Sequence, residues 1–315
     1  MKGILVIITT IYLAISSCGP SLSKISSSGP SPRYVNNLVY DNGNICLIGG
    51  KNNENSFNDF WIWDKNQWNL SGSFPIKIWD HSYVKLGDSD IIFLFGGRTF
   101  QDEKSNLRID LDSTWIYEDN MWSNLKIDGP ENRSSHQLVF FNKLEKVVLF
   151  GGRNKDKVFG DTWIFYQNNW KLLNSTNPPK RFGHSLAYDS KSNLVYMFGG
   201  HDGVNLLNDF WSFDGDTWKK LSVPNGPSPR MAHTMQFDDR GNLVVFGGWD
   251  GSAKASDELW YYSKGKWQEI HMRKSLEGRL SGAMVFDPFK RRFFLFGGST
   301  GFDGAFHDKT IVFKL

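Results

Sequence analysis

The run Asp209-Phe210-Trp211-Ser212-Phe213-Asp214-Gly215-Asp216-Thr217-Trp218, which follows the pair Gly199-Gly200, decides the fold. Its two Trp-bearing segments read as strands, and Asp214-Gly215 between them is a hairpin signal. Ahead of the glycines, Arg181-Phe182-Gly183-His184-Ser185-Leu186-Ala187-Tyr188 reads as another strand, and the apolar run ending at Phe198 as one more. Four strands per unit emerge, denoted a to d in chain order.

The unit recurs. A double glycine after a strand-like apolar run occurs six times, at Gly49-Gly50, Gly96-Gly97, Gly151-Gly152, Gly199-Gly200, Gly247-Gly248 and Gly297-Gly298, at intervals of 47, 55, 48, 48 and 50 residues. After most pairs an Asp precedes a Trp (Asp59/Trp61, Asp112/Trp115, Asp161/Trp163, Asp209/Trp211, Asp257/Trp260), and a second Trp follows at 68, 122, 170, 218 and 267. Such self-similarity means one supersecondary unit per repeat, and units that cannot bury their faces alone must stack or close into a ring. Strand b, for example Leu243 to Phe246, is nearly continuous apolar, as expected when neighbouring sheets cover both faces. Ten of the thirteen Trp follow this template and fill the wedges between units, so their abundance requires no ligand.

The double glycine, the spaced Asp and Trp and the period of roughly 50 residues resemble kelch repeats, over about residues 30 to 315. The resemblance implies an all-β fold, a six-bladed kelch-type β-propeller with strand a lining the channel and strand d outermost.

The sixth unit has one strand after its glycines, Thr310 to Leu315, and lacks strand d. Gly29-Pro30-Ser31-Pro32-Arg33 repeats Gly226-Pro227-Ser228-Pro229-Arg230, which follows a strand d, and Leu22 to Ile25 fall in the slot of Trp122 to Leu125. Residues 21 to 26 are therefore expected to be the outer strand of the last blade and to close the ring, since an unpaired edge is a liability. A Ser-rich disordered tether is the alternative.

Composition agrees with one large folded unit: 315 residues, 40% apolar and 15% aromatic. The net charge of +3 comes without a Lys/Arg run, so no nucleic-acid partner is expected, and a monomer is. Lys2 and the apolar run from Gly3 to Ile15 read as an export leader, too short for a membrane span. Ile15-Ser16-Ser17-Cys18-Gly19 resembles the lipobox of bacterial lipoproteins. The resemblance implies a signal peptide over 1–17, a lipidated Cys18, and an envelope protein that is periplasmic or surface-exposed; an ordinary leader with an incidental cysteine is the alternative. Residues 18–29 would hold the anchor, a short leash and the closing strand, and 30–315 the propeller. The leash Cys18, Gly19 and Pro20 spans about 10 Å, which would set the face of the a–b and c–d loops near the membrane and turn the b–c and d–a loops outward. Only Cys46 then remains, in a buried strand b, so no intrachain disulfide can form.

Function is expected on that outward face. From Gly97 to Trp115 the second unit spans 18 residues where the others need 11 or 12, and the extra residues fall within Arg98 to Arg108. This insertion is the first candidate for a binding loop, with Arg98, Phe100 and Arg108, although a neutral solvated insertion would look the same. Trp79 in a d–a junction and Trp249 in a b–c loop stand outside the repeat template. Trp79 aligns with Tyr34, Phe182, Met231 and Leu280 in a mostly apolar ring at the channel mouth, which is either a ligand platform or loop packing. Arg98, Arg153, His201 and Lys254 are candidate contacts for an acidic or sugar ligand. The spacing Arg-x-x-His recurs at Arg133/His136, Arg181/His184 and Arg230/His233, with His81 alone in the second unit. These histidines read as structural, because radial repetition sets them too far apart for one metal ion. No metal and no cofactor is expected.

Enzymes share the architecture. Galactose oxidase, a kelch-type propeller, needs a cysteine crosslinked to a tyrosine for its copper chemistry, and buried Cys46 argues against that. Periplasmic sialic-acid mutarotases are six-bladed kelch propellers that need only channel-facing acid–base groups, and no such pair is legible here. The reading favours a protein- or glycan-binding module over a carbohydrate-active enzyme such as a mutarotase or epimerase. A channel with convergent carboxylate and Arg or His groups would favour the enzyme, and an apolar or filled mouth the binder.

Overall fold

Turn chemistry and strands of three to nine residues build six four-stranded antiparallel sheets. The computed structural model describes residues 21–25, 29–34, 37–102, 106–176, 178–272 and 276–315. Blade 4 shows the unit: strand a is Ser185–Asp189, b Leu194–Phe198, c Phe210–Phe213 and d Trp218–Leu221. Strand b carries the core. In blade 5, Leu243, Val244 and Val245 are fully buried because neighbouring blades cover both faces of the sheet. The described residues contain no α-helix, and among them no helix is long and apolar enough to cross a membrane. The expected leader, Cys18 and leash lie outside the described residues.

The ring closes as the repeat phase requires. Ser21–Ile25 pairs antiparallel with Thr310–Lys314, from Ser21↔Lys314 to Ile25↔Thr310, and completes the sheet of Arg292–Ser299 and Leu280–Asp287. Position 26 of the expected strand lies outside the described residues. On the far side of the closure, Trp68 of blade 1 donates its indole N–H to Thr310 Oγ1 of blade 6 at 2.9 Å. The equivalent bonds Trp170 to Thr114 and Trp218 to Thr162 fasten blade 3 to 2 and blade 4 to 3.

Gly96 and Gly97, with φ of +61° and +97°, show why each unit needs its glycine pair. A Cβ on Gly97 would lie 2.6 Å from the Cβ of His81 in its own blade, and one on Gly96 2.9 Å from Cε1 of His136 in the next. The recurring histidines are thus packed between blades. His81, His136, His184 and His233 are buried, and burial pushes each imidazole far below its usual pKa, to about 3 for His81 and His233. The charges of Arg133, Arg181 and Arg230 push the last three in the same direction.

The arginine ahead of each histidine is a clamp. Arg133 donates to Gly151 O at 3.0 Å and bidentately to Asp161 at 2.7 and 2.9 Å, while Trp163 Nε1 donates to the same carboxylate at 2.7 Å. Burial would raise the Asp161 pKa, but hydrogen bonding to Arg133 and its charge hold it below the ordinary value. Arg33/Asp59 and Arg181/Asp209 repeat the clamp, and this is why an Asp precedes a Trp in the sequence. Two assignments from the pattern change. In blade 5 the acid is Glu258 rather than Asp257, and in blade 2 the Trp115 indole donates to Ser113 rather than Asp112, because Ile78 stands where the other blades carry Arg. In blade 6, buried Arg279 reaches Gly297 O at 2.8 Å, but its Nη2 has no hydrogen-bond partner among the described residues, and burial lowers its pKa to about 10.

Replacing Arg133 by Met strands a half-buried carboxylate and is expected to cost about 3–5 kcal/mol, whereas Arg279→Met removes a charge favoured only through space by Glu277, with no carboxylate clamped to it, and is expected to cost less than Arg133→Met. Urea denaturation of the two variants checks both. The histidines predict acid lability. Each stays neutral in the fold and protonates near pH 6.5 once unfolded, so its stabilising contribution is complete above that pH and falls by about 1.4 kcal/mol per pH unit towards its folded pKa. A melting-temperature profile between pH 7 and 4 should descend steadily, and replacing His136 by Asn should flatten it.

Candidate functional site at the channel mouth

Strand a enters the channel from the d–a junction, and its first residues meet the start of each b–c loop. The residue after the second glycine bridges to the junction in every blade: Tyr34↔Lys51, Trp79↔Arg98, Ser134↔Arg153, Phe182↔His201, Met231↔Trp249 and Leu280↔Ser299. This register divides the mouth. Blades 1 to 3 supply Lys51, Arg98 and Arg153, whereas blades 4 to 6 supply His201, Trp249 and Ser299 beside apolar Phe182, Met231 and Leu280.

One residue further in, Asp80, Ser135, Gly183, Ala232 and Ser281 share a left-handed backbone with φ between 52° and 63°. Their main chains form an iris: Ser135 N donates to Asp80 O, Gly183 N to Ser135 O, Ala232 N to Gly183 O and Ser281 N to Ala232 O, at 2.7–2.9 Å. Four of these five positions carry small neutral residues. The fifth, in blade 2, is an aspartate.

A cavity of about 410 Å³ opens above the iris, and four cationic side chains, Lys51, Arg98, Arg108 and Arg153, line it against one carboxylate, Asp80. Arg98 donates through Nε to Asp110 Oδ1 at 2.7 Å, and its Nη1 stands 3.6 Å from Asp80 Oδ2. The Arg153 guanidinium lies 4.2 Å over the Phe182 ring, and its buried Nε has no partner among the described residues. Burial and the neighbouring Arg98 lower the Arg153 pKa, and burial and Arg108 lower that of Lys51. Burial raises the Asp80 pKa and Asp110 adds to the rise, although Arg98, Arg153 and Arg108 pull against it. Tyr34 is pushed upward by burial and by Asp80. The mouth is a low-dielectric site in which like charges are held together, and a ligand anion would relieve that repulsion.

The insertion from Arg98 to Arg108 is an ordered ribbon at its base. Arg98–Phe100 pairs with Arg108–Asp110, which delivers Arg108 to the cavity and lays Phe100 on Trp79 at 4.9 Å. Trp79 is only 2% exposed, and it borders the cavity while Phe100, outside the lining, packs against it. Trp249 packs edge-on against Phe302 at 5.1 Å and donates to Ser252 O, outside the cavity lining. His201 packs on Phe182 and accepts from Gly203 N, and Lys254 is exposed on its loop, so neither reaches the cavity. The structure therefore gathers Trp79, Arg98, Arg108 and Arg153, sets Phe100 against them, and leaves His201, Trp249 and Lys254 apart. Lys51 and Asp80 escaped the sequence reading, which places Tyr34 in the ring at the mouth. Alignment of the iris positions, where Asp80 stands in the register of Ser135 and Gly183, would have singled out Asp80.

The opposite mouth has a second cavity of about 310 Å³ lined by neutral amides and hydroxyls such as Asn37, Tyr83 and Gln236, with Lys85 held by Asp41 at 2.5 Å. Gln137 borders both cavities. Among the described residues no group of three or more His, Cys, Asp or Glu side chains could hold a metal ion, and Cys46 is a buried thiol whose pKa burial pushes up to about 12.

Six sheets with glycine pairs, buried histidines and arginine clamps define a kelch-repeat β-propeller. The comparisons agree: the family model described as KLHDC2/KLHL20/DRC7 Kelch-repeats domain matches residues 166–315. A solved structure of YjhT superposes with a TM-score of 0.72 over 91% of this chain and 96% of that one, at 15% identity, which is a likeness of fold. Segments of tRNA wybutosine-synthesizing protein 4 are also similar, at 31% identity over 121 residues in Aspergillus oryzae and 30% over 122 in Aspergillus fumigatus. Those matches cover 35% and 37% of this chain, and the chain spans only 11% of either relative.

Proposed function

We propose that this propeller is a recognition module that takes the anionic group of an acidic glycan into the mouth formed by its b–c and d–a loops. One observation carries the reading: Lys51, Arg98, Arg108 and Arg153 converge on a single cavity that has one lining carboxylate among the described residues. Guanidinium groups suit planar anions, and the half-buried rings of Phe306 and Tyr34 in the same lining can border a sugar ring. An apolar mouth alone would have suited a protein partner. The charge asymmetry favours the acidic ligand.

A second reading, a carbohydrate-active enzyme such as a sialic-acid mutarotase or epimerase, is supported by Asp80, a half-buried carboxyl with a raised pKa in the cavity lining. Such a group can exchange a proton with a sugar hydroxyl. Proton exchange alone would not need four cations, so binding is the stronger reading.

Screening the purified protein on a glycan array is expected to retain acidic glycans and release their neutral counterparts. Arg153→Ala and Arg108→Ala should each weaken that binding by about 10–100-fold, the worth of one charge-assisted hydrogen bond. No retention, together with accelerated anomer exchange of a reducing sugar measured by NMR, would replace this reading with the second.

We further propose that the chain is exported in a bacterium and held at the cell envelope by lipid on Cys18, which would present the mouth away from the membrane. Labelled palmitate should enter the wild-type protein and not the Cys18→Ala variant; equal labelling of both would overturn the anchor.

A further inference from the structure

We propose that Asp80 is the specificity-determining residue of the mouth, accepting a hydrogen bond from a hydroxyl of the same ligand whose anionic group lies against Arg108 and Arg153. This deepens the acidic-glycan reading and rests on it. In the iris, the equivalents of Asp80 are Ser135, Gly183, Ala232 and Ser281, none of them ionisable. The left-handed backbone there is one that Asp tolerates better than most side chains. Nothing in blade closure calls for a carboxylate at this place, because the closing bonds are all main-chain.

The carboxylate also stands without a hydrogen bond among the described residues. The Arg98 Nη1 contact, at 3.6 Å, is an ion pair beyond hydrogen-bonding distance, and Arg98 Nε is engaged by Asp110. The other charged or titratable groups around Asp80 are Arg108 on the same ribbon, Arg153 from blade 3, and Tyr34 and Lys51 from blade 1. Each of these belongs to the cavity lining, as does Asp80 itself. A negative group in a cavity built for anions works against a bare anion by like-charge repulsion. It helps only a ligand that brings a donor, because an enclosed acceptor left unpaired is costly and a site built to bond a hydroxyl rejects analogues lacking one. A hydroxylated acid satisfies both requirements: its carboxylate meets Arg108 and Arg153, and its hydroxyl donates to Asp80.

The test is calorimetric titration of the full chain with glucuronate and with cyclohexanecarboxylate, a ring acid of similar size that has no hydroxyls. Wild type is expected to prefer glucuronate by at least about tenfold. In Asp80→Asn the two probes should move in opposite directions, glucuronate weakening by about tenfold and cyclohexanecarboxylate tightening as the repulsion is lost. Asp80→Gly, which installs the residue blade 4 carries at Gly183, should show the same crossed effect and guards against a local distortion. A merely structural Asp80 would shift both probes alike. A parallel shift, unchanged glucuronate affinity in both variants, or equal binding of the two probes by wild type overturns this inference and leaves anion recognition standing. Failure of both probes to bind wild type and variants removes the anionic-ligand reading and this inference with it.

Discussion

The close approach of backbone to backbone at each double glycine is the constraint on which the remaining structure depends. With Cβ atoms absent, the imidazole of one blade rests on the glycine pair of the blade before it, as His136 does on Gly96. That contact sets the distance between adjacent strands a, hence the radius of the iris and the position of every b–c loop around it. The arginine clamps act at the next level, fastening the end of strand b to the start of strand c within a blade through a guanidinium shared by a carbonyl and a carboxylate. Together these contacts explain a mouth whose side chains can vary without moving the frame.

Variation on that frame is concentrated in one arc. Blades 1 to 3 present cations at the position where blades 4 to 6 present His201, Trp249 and Ser299, and the ribbon of blade 2 adds Arg108 from above. A symmetric scaffold thus holds an asymmetric site. The fold supplies the geometry, and a handful of substitutions at equivalent positions supply the chemistry.

The repeat, the blade count, the structural histidines and even the closing strand were legible in the sequence, since glycine pairs and Trp spacing report backbone constraints that leave few alternatives. The site was legible only in part. Arg98, Arg108 and Arg153 stood out as cations in b–c loops, but Lys51 follows its glycines in a loop of ordinary length, and Asp80 carries no mark in the sequence beyond its place beside His81. Its meaning lies in comparison with Ser135, Gly183, Ala232 and Ser281 around the ring, a relation in space across residues about 50 apart in sequence. The sequence leaves Trp79 open between a ligand platform and loop packing, and the structure gives it both positions, since it borders the cavity while the ribbon packs Phe100 against it. The stated discriminator also divided, because the mouth holds both convergent carboxylate and guanidinium groups and an apolar arc.

The pairing of Ser21–Ile25 with Thr310–Lys314 bears on the history of each molecule as well as its final shape. Five blades can assemble from neighbouring segments as the chain emerges, but the sixth needs two segments from opposite ends of the described chain. Closing so long a loop is entropically expensive and slow. Until it closes, Thr310–Lys314 offers a bare sheet edge that could recruit a stranger's strand. Ring completion is therefore the step at which this protein is most exposed to misassembly, and the five residues Ser21–Ile25 govern how quickly that exposure passes.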